Sequence, residues 1–514
     1  MTFVSHMQTF CFQGLDAVPI SVQAQLSPGL PAFSLVGLPD KAVAESKERV
    51  RASLYSMGIA LPAKRITLNL SPADLKKEGS HYDVPIALSL LMAIGGIDAD
   101  QLHGFFALGE LGLDGSLISV GGGLSAALAA AGHNKGLICP HDDGADAAWA
   151  GEIPIIAAPN LLSILNHLKG EQVLESPKAR ILESTKPTKK IQSIQGQTVA
   201  KRALHIAAAG GHNMLMTGPP GVGKTMLAEC LPDLLPPLSP KESLDVTMIH
   251  SLLKKTDRRG LVVERPFRAP HHSASMAALV GGGINALPGE ISLAHKGILF
   301  LDELPEFGRT RLEALRQPLE SKKAVIARAN QHITYPADSQ LIAAMNPCPC
   351  GQVGVPKKQC RKAPVCAENY QAKLSGPLLD RIDMHIYVPM PTPFTQAADT
   401  GKMTTEALKA HILDVWNVQK TRNAPDDETN MSDTFLNGRM SFDALEPALN
   451  LSDDALMLCK TASEKFGLSR RAYHKLLRVA RTIADLESSK PIKRHHAAEA
   501  LSYRAPNTTS QRAA

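Results

Sequence analysis

The stretch MTGPPGVGKT sets Gly218, Gly223, Lys224 and Thr225 in the spacing G-x-x-x-x-G-K-T. Side chains of these types, so spaced, can hold a polyphosphate. The loop of Gly218, Pro219, Pro220, Gly221, Val222 and Gly223 can curl its available N–H groups around phosphate oxygens. The Lys224 ammonium then serves the β- and γ-phosphates and the Thr225 hydroxyl serves Mg²⁺. A second set of reactive groups ends the apolar run GILFLDEL, where Asp302 can complete the Mg²⁺ shell and Glu303 can polarise an attacking water. A third lies in AAMNPCPCG, where the uncharged amide of Asn346 can bond both the γ-phosphate and that water. The chemistry these groups share is ATP hydrolysis with Mg²⁺ as cofactor.

The same stretch opens a cysteine cluster. Cys348, Cys350, Cys360 and Cys366 follow C-x-C, nine residues, then C-x₅-C, which suits either one tetrahedral Zn²⁺ site or four free thiols. The tight C-P-C departs from the usual knuckle spacing, and both readings stay open.

These residues need elements to position them. NMLMTG, GILFLDEL and QLIAAMN are short apolar runs without alternation, each flanked by helical stretches, which predicts a parallel sheet buried on both faces with the reactive groups at its C-terminal edge. Before them, AFSLVGLP, RITLNLSP, FFALGELGLDGSLISVGGG and KGLICP alternate with helical patterns such as KAVAESKERVRASLYSMG, giving an α/β domain over residues 1–170. A polar, lysine-rich linker follows at 171–190, then the nucleotide domain at 191–395. Helical periodicity in TTEALKAHILDVWNVQKTR and SRRAYHKLLRVARTIADLE marks a helical lid at 396–514.

With 514 residues, 44% hydrophobic and 20% charged, the composition is that of a multidomain globular protein. A net charge of +6 confines any nucleic-acid surface to a local patch. VPIALSLLMAIGGI is too short to span a bilayer and MTFVSHMQTF lacks a basic leader, so no membrane association and a cytoplasmic location are expected. Eight cysteines in so long a chain do not make a disulfide framework.

Together, GPPGVGKT, LFLDEL, AAMNPCPCG, SGPLLDRIDMHIYVP, LSRRAYHKLLRVARTIADLE and KEGSHYDVPIAL resemble the magnesium-chelatase-like AAA+ ATPases of the YifB/ComM family, over nearly the whole chain. The resemblance implies an AAA+ P-loop core with a C-terminal helical lid, working as a homo-hexamer. For the ComM branch it implies a DNA helicase that drives branch migration during natural transformation, with single-stranded, forked or branched DNA as partner. By the same resemblance Asn346 is sensor 1, Arg381 in LLDRID is the arginine finger reaching a neighbour's nucleotide, and Arg471 in LSRRAYHKLL is sensor 2. Ser469 can cap the helix that carries Arg471, and Lys475 and Arg478 recur on the same face. The plain alternatives are a solvated basic face, and an Arg381 paired with Asp380 or Asp383.

The first domain resembles the Lon protease proteolytic domain, of the ribosomal S5 domain 2 type, through LGELGLDGSLISVGGGLSAALAAAG. Its catalytic dyad is missing. His81 falls at the nucleophile position with Ser80 one place early, and Leu124 stands where the lysine base belongs, which cannot activate a hydroxyl. A binding or assembly module is the expectation. Two insertions complete the reading. FRAPHHSASMAALVGGGINALPGE carries His271 and His272, read as packing or polar-contact residues. KKAVIARANQHITYPADSQ reads as a hairpin that, in related DNA translocases, faces the ring pore, which would aim Lys322, Lys323, Arg328 and Asn330 at DNA phosphates. Three functions compete: a DNA-translocating helicase, a chelatase-type ATPase remodelling a protein partner, and an ATP-dependent protease. The missing dyad ranks the protease last.

Overall fold

The computed structural model describes residues 4–182, 190–253, 260–283, 286–328, 331–353, 360, 362–390, 404–423 and 435–504. The chain divides into two compact units, Met1–Glu183 with Ser243–Val263, and Ser184–Glu242 with Glu264–Ala514. The segment 243–263, which follows the P-loop helix in sequence and was expected in the nucleotide domain, belongs to the first unit.

The first unit is built on a seven-stranded sheet in the order Ala32–Val36, Arg65–Ser71, Asp16–Ser27, Val4–Gln13, Phe105–Ala107, Gly136–Pro140, Ile155–Ala158. Its long hairpin, Val4–Gln13 against Asp16–Ser27, turns at Gly14 with φ 67°. This hairpin is not separable in the sequence, because polar residues such as Ser5 and Thr9 occupy buried positions and blur the alternation. The run VPIALSLLMA is the helix Asp83–Ala93, buried from Asp83 to Met92, which explains its continuous apolarity. Asp83 enters the core held by Arg49 at 2.6 Å and by the Leu111 N–H at 3.1 Å.

In the second unit five strands lie in the order Phe267–Arg268, Ile298–Leu301, Gln340–Met345, Met214–Thr217, Met384–Tyr387, all pairings parallel. Alternate residues serve separate cores. Met214, Met216, Phe300, Ile342 and Ala344 pack on one side, while Leu215, Leu299, Leu301, Leu341 and Ala343 pack on the other. Both faces being covered, the strands read as unbroken apolar runs. The first strand of the sheet in chain order sits between the fourth and the fifth, so the winding reverses there and opens a crevice at the C-terminal strand ends.

Helices Thr405–Asn423, Asp453–Phe466, Arg470–Leu486 and Arg494–Ser502 follow, and no strand occurs among the described residues after Tyr387. Ile412, Val415, Trp416, Leu476 and Ile483 from these helices join the core on one face of the sheet. The expected hairpin is present as Lys323–Arg328 paired antiparallel with Gln331–Pro336. No helix among the described residues is long and apolar enough to cross a membrane.

Candidate nucleotide site

Strand Met214–Thr217 runs into the loop 218–223, and helix Lys224–Leu234 begins at once. The loop closes so tightly that a Cβ on Gly218 would collide with the carbonyl of Val388. Gly223 caps the helix at φ 94°, which a larger side chain resists. Helix and loop together aim backbone N–H groups and the positive end of the helix dipole at one point.

Lys224 lies at that point, only 8% exposed. Its ammonium donates to the carbonyls of Gly218 at 2.8 Å and Pro219 at 2.9 Å, and to Asn346 Oδ1 at 3.1 Å. Burial lowers its pKa, and the nearby charges of Asp302 and Glu303 counter that. Asn346 emerges from the end of strand Gln340–Met345, beside the P-loop strand. Thr225 Oγ1 donates to Asp302 Oδ2 at 2.8 Å, which brings a hydroxyl from the start of the P-loop helix and a carboxylate from just after strand Ile298–Leu301, both hard oxygen donors, onto one spot.

Glu303 follows Asp302 in the left-handed region, φ 51°, its N–H bonded to Asp302 Oδ1 at 2.9 Å. That backbone turn sends the two carboxylates in different directions. Glu303 is half-exposed and its Oε2 stands 3.5 Å from His272 Nδ1. His272 is thus the polar neighbour of the candidate base, with its backbone carbonyl accepting from Arg311 and its ring against that of His271 at 4.1 Å. The sequence showed a histidine pair; nothing in it pointed to Glu303 as the partner.

Arg381 is not brought onto the P-loop of its own chain by any of its described bonds. Its guanidinium pairs with Glu320 and donates to the Pro377 carbonyl at 2.6 Å, along an open cleft of about 480 Å³ lined also by Glu313, Arg316 and Gln317. Among the described residues Arg381 forms an ion pair with neither Asp380 nor Asp383. Asp383 is taken by Lys475 at 2.9 Å and by the Asn213 N–H at 2.9 Å. Burial alone would raise the Asp383 carboxyl, but Lys475 and His212 hold it down at about 2.

The row Arg471, Lys475 and Arg478 is therefore no uniform solvated face. Arg471 is exposed, one residue inside a helix that Ser469 caps by accepting from the Ala472 N–H at 3.2 Å, whereas Lys475 and Arg478 are turned inward.

In the hairpin, Lys322 ends the preceding helix at φ 58° and pairs with Asp338 at 3.7 Å, which draws it out of a row of free cations. Lys323 is exposed. The Arg328 side chain and Asn330 lie outside the described residues. The four cysteines converge, with all four Sγ atoms within 4.8 Å of one another. In the first unit Ser80 donates to the Glu110 carboxylate, His81 Nε2 is 2.9 Å from the Phe10 carbonyl, and Leu124 is fully buried. That arrangement pairs the serine with an acid.

Three family profiles match the chain: "Magnesium chelatase, subunit ChlI" over residues 190–395, "Subunit ChlI of Mg-chelatase" over 22–143, and "Magnesium chelatase, subunit ChlI C-terminal" over 402–504. Similar proteins include competence protein ComM of Haemophilus influenzae, 43% identical over 96% of this chain and 96% of that protein. The uncharacterized protein YifB of Salmonella typhimurium is 42% identical over 96% and 95%, and YifB of Escherichia coli is 41% identical over 98% and 97%.

Proposed function

The chain belongs to the magnesium-chelatase-like family that includes the YifB and ComM proteins, and from that premise we propose that it is an AAA+ motor that hydrolyses ATP to move on DNA. The observation that carries the reading is the convergence of Lys224 with Asn346, and of Thr225 with Asp302, at the C-terminal ends of adjoining parallel strands.

In this reading the loop amides and the Lys224 ammonium bind the β- and γ-phosphates. Asn346 orients the water, Glu303 accepts its proton as oxygen attacks the γ-phosphorus, and ADP leaves with the β–γ bridging oxygen. Thr225 and Asp302 would hold Mg²⁺, which supplies charge neutralisation across the phosphates. Arg381 acts in trans, leaving Glu320 to reach a neighbour's γ-phosphate in a homo-hexamer, and Arg471 completes the site from the lid. The first unit is assigned as a Lon-protease-like module for binding or assembly, without proteolytic chemistry.

The DNA part rests on the likeness to a competence protein and on exposed Lys323 in the hairpin, with Arg328 at its far end. The proposed work is helicase action promoting branch migration during recombination in natural transformation, in the cytoplasm. The test is ATP turnover by the purified chain with and without forked or branched DNA. Several-fold stimulation is the expected result. Turnover with no DNA affinity at low salt would instead favour a chelatase-type ATPase acting on a protein partner.

A further inference from the structure

From the turn after Asn346 to the first residues of helix Val365–Gln371 the chain brings four thiols together, Cys348 and Cys350 from that turn, Cys360 ahead of the helix and Cys366 within it. Cys348 and Cys350 lie 3.2 Å apart at Sγ, Cys360 and Cys366 lie 3.1 Å apart, and all four Sγ atoms fall within 4.8 Å. A disulfide needs about 2.0 Å. A zinc tetrathiolate with Zn–S bonds of about 2.3 Å has sulfur–sulfur edges of about 3.8 Å, inside the observed spread. Cys348 is fully buried and Cys350 exposed, with Cys360 and Cys366 between, so the cluster sits at the surface with one wall in the core. Four thiolates around one Zn²⁺ carry a net charge of −2. Between Cys350 and Cys366 the sequence holds Lys357, Lys358, Arg361 and Lys362 and no acid.

The cluster also touches the nucleotide site. Gly351, directly after Cys350 and at φ 68°, packs so closely on the P-loop that a Cβ there would lie 2.5 Å from Pro220 Cδ. The turn closes through the Gly351 N–H bonded to the Cys348 carbonyl at 2.9 Å, and Gln371 donates to the Pro347 carbonyl at 3.3 Å. Lys224 reaches Asn346 from the other side at 3.1 Å. A constraint on Cys348 and Cys350 is therefore a constraint on both the candidate sensor and the loop that would hold phosphate.

We propose that Cys348, Cys350, Cys360 and Cys366 bind one Zn²⁺ as a closed structural tetrathiolate, and that this ion holds the Asn346 turn against the P-loop. The first half is independent of the function proposed above; the second rests on the P-loop binding nucleotide. Zinc would enter with loss of the four thiol protons, adding no redox step.

The test measures metal in the full-length protein purified without added chelator, by elemental analysis, beside titration with a fluorescent ATP analogue. Wild type should hold about one zinc per chain, and Cys360→Ser should fall below a fifth of that. Gly351→Ala should keep its zinc yet bind the analogue at least tenfold more weakly, since the new methyl group must displace Pro220. Wild-type protein with no zinc, with iron in its place, or with two disulfides by mass spectrometry overturns the site, whatever becomes of Cys360→Ser. Zinc-loaded Gly351→Ala with unchanged affinity overturns the coupling alone. A wild type that holds zinc but binds no nucleotide would sink the P-loop assignment, and the coupling with it, while leaving the metal site standing.

Discussion

Lys224 and Glu303 stand near one another with different partners, and the proposed hydrolysis gives them separable roles. Lys224 is buried among two loop carbonyls and Asn346, a place where only a cation is satisfied. Lys224→Ala should abolish saturable ATP binding, read by analogue titration. Glu303 is half-exposed beside His272, and among the described residues no hydrogen bond or ion pair joins its side chain to the loop. Glu303→Gln should therefore bind ATP as tightly as wild type while hydrolysis drops about 10²-fold or more. Normal turnover in Glu303→Gln would return Glu303 to an ordinary strand-end acid. The motif spacing made Lys224, Thr225 and Asp302 legible, because each is set by a few neighbouring residues. His272 was not, because its meeting with Glu303 depends on where strand Phe267–Arg268 lies in the sheet.

At the scale of elements, the ion pair between Lys475 and Asp383 joins helix Arg470–Leu486 to the approach of strand Met384–Tyr387, with both groups withdrawn from water. Removing one partner strands the other charge. Lys475→Met should cost about 3–5 kcal/mol in urea denaturation, and adding Asp383→Asn should recover much of it. An equal loss in single and double variants would show that packing, not charge, is what the lysine supplies.

Three buried histidines of the second unit make a pH prediction. Burial drives the pKa of His205 down to about 3, and those of His212 and His385 to about 4, with Asp383 partly opposing the shift for His212. Unfolded histidine titrates near about 6.5. The folded values being depressed, the stability these groups contribute is whole above about pH 6.5 and is lost as pH falls through 4. The second unit should thus lose about a few kcal/mol between pH 6.5 and 4, seen as a falling urea midpoint. A flat midpoint across that window would mean that the three rings are hydrated.

For the whole molecule, the prediction concerns assembly. Arg381 is held by Glu320 and the Pro377 carbonyl in its own chain, so a role in hydrolysis requires a neighbour. Arg381→Ala should keep nucleotide binding and lose turnover about 10³-fold or more. Mixed with Lys224→Ala under conditions where co-assembly is verified by differential tagging, it should regain part of the activity, because an intact P-loop can then face an intact finger. Undiminished turnover in Arg381→Ala alone would leave Arg381 as the partner of Glu320 and nothing more.

What the sequence determined by itself was local. Continuous apolar runs between helices announced a parallel sheet, because a strand covered on both faces has no polar side to show. Glycines at 218 and 223 announced the loop, because few other residues tolerate its approach to Val388 and its left-handed cap. The hairpin at 323–336 and the Ser469 cap were equally readable. Only the tertiary structure decided how elements distant in the chain share space: that 243–263 joins the first unit, that Lys322 is spent on Asp338, that Asp383 belongs to Lys475 and not to Arg381, and that Gly351 leans on Pro220. Periodicity and turn chemistry are written in the residues within one element, whereas a contact between elements depends on strand order, which no short stretch of sequence encodes.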